Sequence, residues 1–183
     1  MITLYIVSLS IFVIYMIDIL IKFGVPESIS ESAYLYGRNG KISIKFYIAL
    51  IAVMIPLLVF WLHITTGQEY QFTVFLSCAA LGFVAATGNF RDKGDIAGII
   101  HVVSVFIGVV CSQIWALLSV KYYWIPAIFC ALIASTIGIK IKGAQRTKSG
   151  TLVRKANSVI FFNEVAIFLL VYASILVYYL LGN

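Results

Sequence analysis

Charge is what this chain has least of: acidic and basic residues make up 11% of its 183 residues, against roughly 25% in typical soluble domains. A water-soluble globule would lack the polar surface it needs, which excludes a soluble catalytic or nucleic-acid-binding domain. Cysteine is scarce as well. Cys78, Cys111 and Cys130 fall inside apolar runs at no metal-like spacing, so neither a disulfide framework nor a zinc motif is indicated, and they are expected as small packing residues. Two of the three prolines, Pro56 and Pro126, also fall in apolar runs, where proline removes one helical hydrogen bond and kinks the helix. The chain has no H-E-x-x-H, G-x-S-x-G or paired-cysteine motif. Catalytic residues are therefore left unassigned, the balance leans away from an enzyme, and no cofactor or metal is expected. Nothing basic precedes the first apolar run and no small-residue cleavage site follows it, so that run is expected to persist as a helix.

What the chain has is hydrophobic residues, 62% of the total, with a mean hydropathy of +1.05. Apolar stretches bounded by polar or turn residues place six spans near 2–23, 45–64, 71–90, 95–119, 122–141 and 158–181. Each is close to the length of about 20 residues that crosses a hydrocarbon core. In lipid every backbone polar group must be satisfied within its own helix, so the expected fold is all-α: one polytopic six-transmembrane-helix bundle with short loops. Of the thirteen Lys and Arg residues, twelve fall in connections one, three and five, and only Lys121 falls elsewhere. Under the positive-inside rule those three loops are cytoplasmic and both termini extracytoplasmic. The expected setting is a cell membrane crossed several times, of the bacterial inner-membrane kind, with membrane lipids as partners and no nucleic acid. Trp61, Trp115 and Trp124, with Tyr5, Tyr70, Tyr122, Tyr123, Tyr178 and Tyr179, lie toward the outer ends, where aromatic rings anchor at the interface. His63 and Glu69 read as interfacial polar residues there.

Ionisable residues inside spans are costly and usually face the bundle interior. Asp18, His101 and Glu164 each lie roughly 7–9 Å inward from the cytoplasmic end of their helices, at 1.5 Å rise per residue. The fourth span carries small residues at Gly94, Gly98, Gly108 and Ser112, with Ala97, Ser104 and Cys111 alongside His101, a face that lets another helix approach closely. The third span offers a matching surface in Ser77, Cys78, Gly82, Ala85, Ala86 and Gly88. A polar layer of Asp18, Asp92, His101, Asn163 and Glu164 near the cytoplasmic leaflet is the expected ligand-binding region, joined by Ser28, Ser30 and Glu31 of the first loop. Such groups could bind a metal, shuttle protons or act as acid and base. They could equally be structural: Asp18 paired with Lys22 one turn on, His101 satisfied by a hydroxyl or carbonyl, Glu164 snorkelling. The first loop could cap a short helix, with Ser28 or Ser30 as N-cap and Glu31 or Ser32 in its first turn, or fold back over the polar layer. The fifth connection has six basic and no acidic residues and suits anionic headgroups.

Pro26, Ile29, Ser30 and Glu31 after the first span resemble the P-x-I-S-D segment of the damage-regulated autophagy modulator and GPI-lipid-remodelling families, with one extra residue and Glu in place of Asp. Gly82, Gly88, Phe90, Asp92 and His101 resemble the G-x-F-P-x-D-to-His pattern of bacterial six-span proteins of unknown function, without its proline. The resemblance implies lipid handling in a membrane, with or without catalysis. Two other functions remain open at this level: a small transporter or oligomeric channel subunit, and a structural or assembly subunit using its small-residue faces to bind partners, including a second copy of itself.

Overall fold

The computed structural model describes residues 1–37, 44–88, 95–120, 124–145 and 150–181, and gives the backbone alone at 88, 95, 97, 139–145 and 150–158. Among the described residues the chain is all-helical, with no strand. Six long helices are α1 (Ile2–Phe23), α3 (Ile44–Ile64), α4 (Gln71–Gly88), α5 (Asp95–Ser119), α6 (Trp124–Gln145) and α7 (Gly150–Leu181); a short α2 (Ser32–Tyr36) lies between α1 and α3. Four of them, α1, α3, the 98–119 part of α5 and the 159–181 part of α7, are long and apolar enough to cross a membrane. The apolar parts of α4 and α6, Gln71–Thr87 and Trp124–Gly138, are shorter. This is the make-up of a multi-pass membrane protein. Its outward surface agrees, since Ile6, Ile14, Ile17 and Ile21 of α1 and Ile96, Ile99, Val102 and Phe106 of α5 are all exposed.

Helix ends follow local chemistry. Gly24, at φ 71°, stops α1 and returns its N–H to the Leu20 carbonyl at 3.1 Å, a conformation that glycine adopts without a Cβ penalty. α6 and α7 run past their expected ends at 141 and 158, into sequence rich in alanine, lysine, arginine and glutamine. Those residues propagate a helix well, so much of the expected fifth loop is helical.

α1 packs on α3, α3 on α4, α4 on α5, and α5 on α7, with α6 against α5 and α7. The ring closes where α1 meets α7 through side chains: Phe12 stacks on Phe168 with centroids 5.2 Å apart, and Tyr5 meets Tyr172 edge-on at 5.5 Å. Buried hydroxyls fasten the same seam. Ser8 donates to the Val53 carbonyl at 2.7 Å, in the turn of α3 that Pro56 loosens, and in turn accepts from the Tyr172 hydroxyl at 2.6 Å. Tyr5 donates to the Tyr172 carbonyl at 3.1 Å.

α4 and α5 meet in part as their spacing predicts, whereas Gly82, expected on the surface facing α5, lies instead against Met54 of α3. Gly108 lies against Ala80 and Ser77, and Ser77 donates to the Gly108 carbonyl at 2.7 Å. The buried stripe of α5 runs through Ser104, Gly108, Ser112 and Trp115, whereas a Cβ added at Gly98 would meet nothing within 4 Å. Of the expected face, Ser104, Gly108 and Ser112 are buried and Gly98 is exposed.

Candidate functional site: a strap across one end of the bundle

Residues 24–37 fold back onto the bundle as a strap. Ser28 and Ser30, expected as N-caps, do not cap the short helix: Glu31 is the N-cap residue of α2, with no side-chain cap, and Ser28 instead closes the turn before it. The Glu31 N–H donates to Ser28 Oγ at 3.1 Å, and the Glu31 carboxylate accepts from the N–H of Glu27; Ser28 and Ser30 hydroxyls stand 3.2 Å apart. A turn over residues 28–31 feeds directly into α2. Pro26, Ile29, Ser32 and Ala33 are buried, so the strap is packed into the structure rather than laid on it.

Two carboxylates hold the strap. Glu164, from inside the apolar part of α7, accepts the backbone N–H of Ile29 at 2.7 Å. Asp18, near the end of α1, accepts the hydroxyl of Tyr36 at the other end of the strap. Between them Ser32 donates to the Ile29 carbonyl at 2.6 Å and shares a 2.7 Å hydrogen bond with Tyr15 of α1. Tyr36 is further fixed by an edge contact with Phe23, centroids 4.8 Å apart. Burial, and then the Asp18 carboxylate, push the Tyr36 phenol above its usual 10, so it remains a donor at physiological pH.

Asp18 also gathers two lysines. Lys22, one turn on, lies 2.7 Å from Oδ1, and Lys45 of α3 lies 2.6 Å from Oδ2. The Lys45 ammonium sits 4.7 Å from the Tyr36 ring centroid. Both lysine side chains are about half exposed, at 48% and 49%, against 27% for Asp18. Exposed pairs of this kind contribute only about 0–1 kcal/mol each. Their consequence is geometric, because two ammonium groups, whose one ion-pair partner among the described residues is Asp18, are held side by side at the end of an apolar helix.

The remaining residues of the expected polar layer have partners in other seams. His101 Nδ1 meets Thr87 Oγ1 at 3.1 Å between α5 and α4. Asn163 donates from Nδ2 to Thr136 Oγ1 at 3.0 Å and to Ser135 Oγ at 3.4 Å, joining α7 to α6. Asp92 lies outside the described residues. The structure thus ties Asp18, Ser28, Ser30, Glu31 and Glu164 to one strap, and places His101 and Asn163 each on a helix–helix contact. Among the described residues no group of three His, Cys, Asp or Glu side chains is arranged to hold a metal. Lys45, Tyr36 and Thr87 were not foreseen. Each lies 14 to 27 residues from the side chain it binds, and no local spacing rule reaches that far.

No protein family, no curated protein and no solved structure matches this chain.

At the opposite end the aromatic residues do something other than expected. Trp61 and Trp115, read as interface anchors, are 1% and 0% exposed, and Tyr5 is buried too. The reason is that α3, α5 and α7 converge there, and large flat rings fill the space. Trp115 meets Trp61 edge-on at 4.9 Å and Tyr178 at 5.4 Å. Trp124 is exposed, as an anchor should be. Burial leaves the indole Nε1 of Trp61 and of Trp115, Gln68 Oε1, Ser119 Oγ and both amide atoms of Gln113 without a hydrogen-bond partner among the described residues. Each such atom costs about 1–3 kcal/mol if nothing meets it.

Proposed function

We propose that this chain is a six-span membrane protein that binds phosphate-bearing lipid headgroups at its strapped end. The supporting observation is the pair of half-exposed ammonium groups, Lys22 and Lys45, drawn together by Asp18 where α1 leaves its apolar stretch. Each ammonium has three donors and spends one on Asp18, so oxygens of a single phosphate can take the others. The strap beside them carries the Ser28 and Ser30 hydroxyls, and its resemblance to lipid-handling families points the same way. The shorter apolar parts of α4 and α6 complete six passes, and the twelve-to-one distribution of basic residues orients the strapped end toward the cytoplasm.

The test is lipid retention. Native mass spectrometry of protein purified with phosphatidylglycerol and phosphatidylcholine is expected to show preferential retention of the anionic lipid. The double substitution Lys22→Gln, Lys45→Gln is expected to reduce that preference at least tenfold with little change in thermal stability, since exposed ion pairs contribute so little. Equal retention of both lipids, or retention unchanged in the double variant, would refute the reading. Orientation is checked separately. Alkaline phosphatase fused after residue 183 is expected to be active, and fused after residue 145 inactive; the reverse pattern would invert the topology.

A second reading is favoured by the bonds between helices. Asn163 to Thr136, His101 to Thr87 and Ser77 to the Gly108 carbonyl assemble the bundle from within, which is what a structural or assembly subunit requires. Absence of any retained lipid would favour it.

A further inference from the structure

At the end opposite the strap, Trp61 of α3, Trp115 of α5 and Tyr178 of α7 form a continuous series of ring contacts, and Gln68, in the turn after α3, donates its Nε2 to the Tyr178 hydroxyl. Ser119 lies one turn beyond Trp115, on the same face of α5. Along this series the two indole N–H donors and the Gln68 carbonyl oxygen are buried without a hydrogen-bond partner among the described residues, and so is the Ser119 hydroxyl one turn further along α5. Gln113, about 200° round α5 from Trp115, is not part of the series.

The indoles cannot be satisfied by a rearrangement of protons, because an indole N–H only donates. Turning the Gln68 amide over would let its oxygen accept from Tyr178, but would then leave its NH2 group unpaired instead. Polar groups buried in this way are met by small bound molecules, whereas a cavity lined by hydrocarbon stays dry. Solvent is near, since Thr66, Gly67 and Glu69 of the adjoining turn are exposed. None of the four atoms belongs to a charged group, so nothing in the cluster favours an ion.

We infer that the Trp61–Trp115–Gln68–Ser119 cluster is a binding site for a small uncharged molecule that accepts a hydrogen bond from an indole N–H and donates one to an amide carbonyl. Water has this chemistry, and so does a small alcohol or amide entering from the side of the α3–α4 turn. The site is independent of the strap and of the headgroup proposal.

The indole N–H resonances of 15N-labelled protein in detergent micelles provide the test. Trp124→Phe removes the exposed tryptophan, leaving two signals that both belong to buried indoles, so the measurement does not depend on folding of a Trp61 or Trp115 variant. Both signals are expected to show cross-peaks to water and to exchange in D2O within minutes. Titration with glycerol and with acetamide separates the sources. A saturable shift of both signals identifies a solute site, and water cross-peaks with no shift identify bound water. A signal from either indole that shows no water cross-peak, persists for a day in D2O and does not move with either solute overturns the inference.

Discussion

Leucine at Gly108 is expected to lower the midpoint of thermal unfolding in detergent by roughly 5–10 °C, whereas leucine at Gly98, ten residues earlier on the same helix, is expected to change it by no more than about 2 °C. A Cβ at Gly108 would already stand 3.3 Å from the Ala80 Cβ and 3.3 Å from the Ser77 carbonyl oxygen. A full leucine side chain must push α4 away. Separating the two helices also breaks the hydrogen bond from Ser77 to the Gly108 carbonyl. Overpacking of this kind typically costs about 1–3 kcal/mol. In a membrane the loss matters more than the area suggests, because lipid is as apolar as leucine and close packing is what holds helices together. A Cβ at Gly98 meets nothing within 4 Å among the described residues, so a side chain there has no helix to push away. Equal effects at the two positions would show that α4 and α5 do not pack on the Gly108 face.

Glu164→Ala is expected to release the strap. The carboxylate is the acceptor for the Ile29 N–H, 135 residues away in sequence. Its removal leaves a donor without that acceptor beside a buried side chain, a loss of about 1–3 kcal/mol. Local opening of the strap should therefore become roughly 5–150 times more frequent, since each 1.4 kcal/mol is a factor of ten. Hydrogen exchange of the amides of residues 29–33, followed by mass spectrometry, is expected to accelerate accordingly, while exchange in α4 and α5 stays as it was. Glu164→Gln keeps an oxygen in place and should retain most of the protection. If the alanine variant exchanges at the unmodified rate, the strap is held by its buried Ile29 and Ala33 rather than by Glu164.

Much of the helical layout was legible in the chain because its signals are local. Boundaries at 23, 64, 71, 95 and 119 follow from where apolar runs stop, and Gly24 marks the end of α1 in both sequence and structure. The Asp18–Lys22 pair one turn apart and the contact of α4 with α5 were legible for the same reason, whereas Ser28 closes the turn before α2 rather than capping it, because the helix starts later, with Glu31 as its N-cap residue. The polar layer was read from position along each span, and such a position does not specify an arrangement. Asp18, His101 and Glu164 lie at similar distances in sequence from the ends of their spans, yet that leaves the rotation of each helix and the identity of its neighbour open. Position along the membrane normal likewise placed Trp61 and Trp115 near an interface, without indicating that both would turn inward.

Composition and the distribution of charge determined by themselves that this chain belongs in a membrane, which stretches are helical and which ends the basic residues favour, because burial in hydrocarbon penalises each charge and each unpaired backbone group residue by residue. Only the tertiary structure decided that a loop returns to rest on Glu164, that Lys45 and Tyr36 join Asp18, that His101 belongs to Thr87, and that two tryptophans become core. Those outcomes depend on which helices are neighbours and how each is turned about its own axis, and they are fixed by packing between residues far apart in the chain.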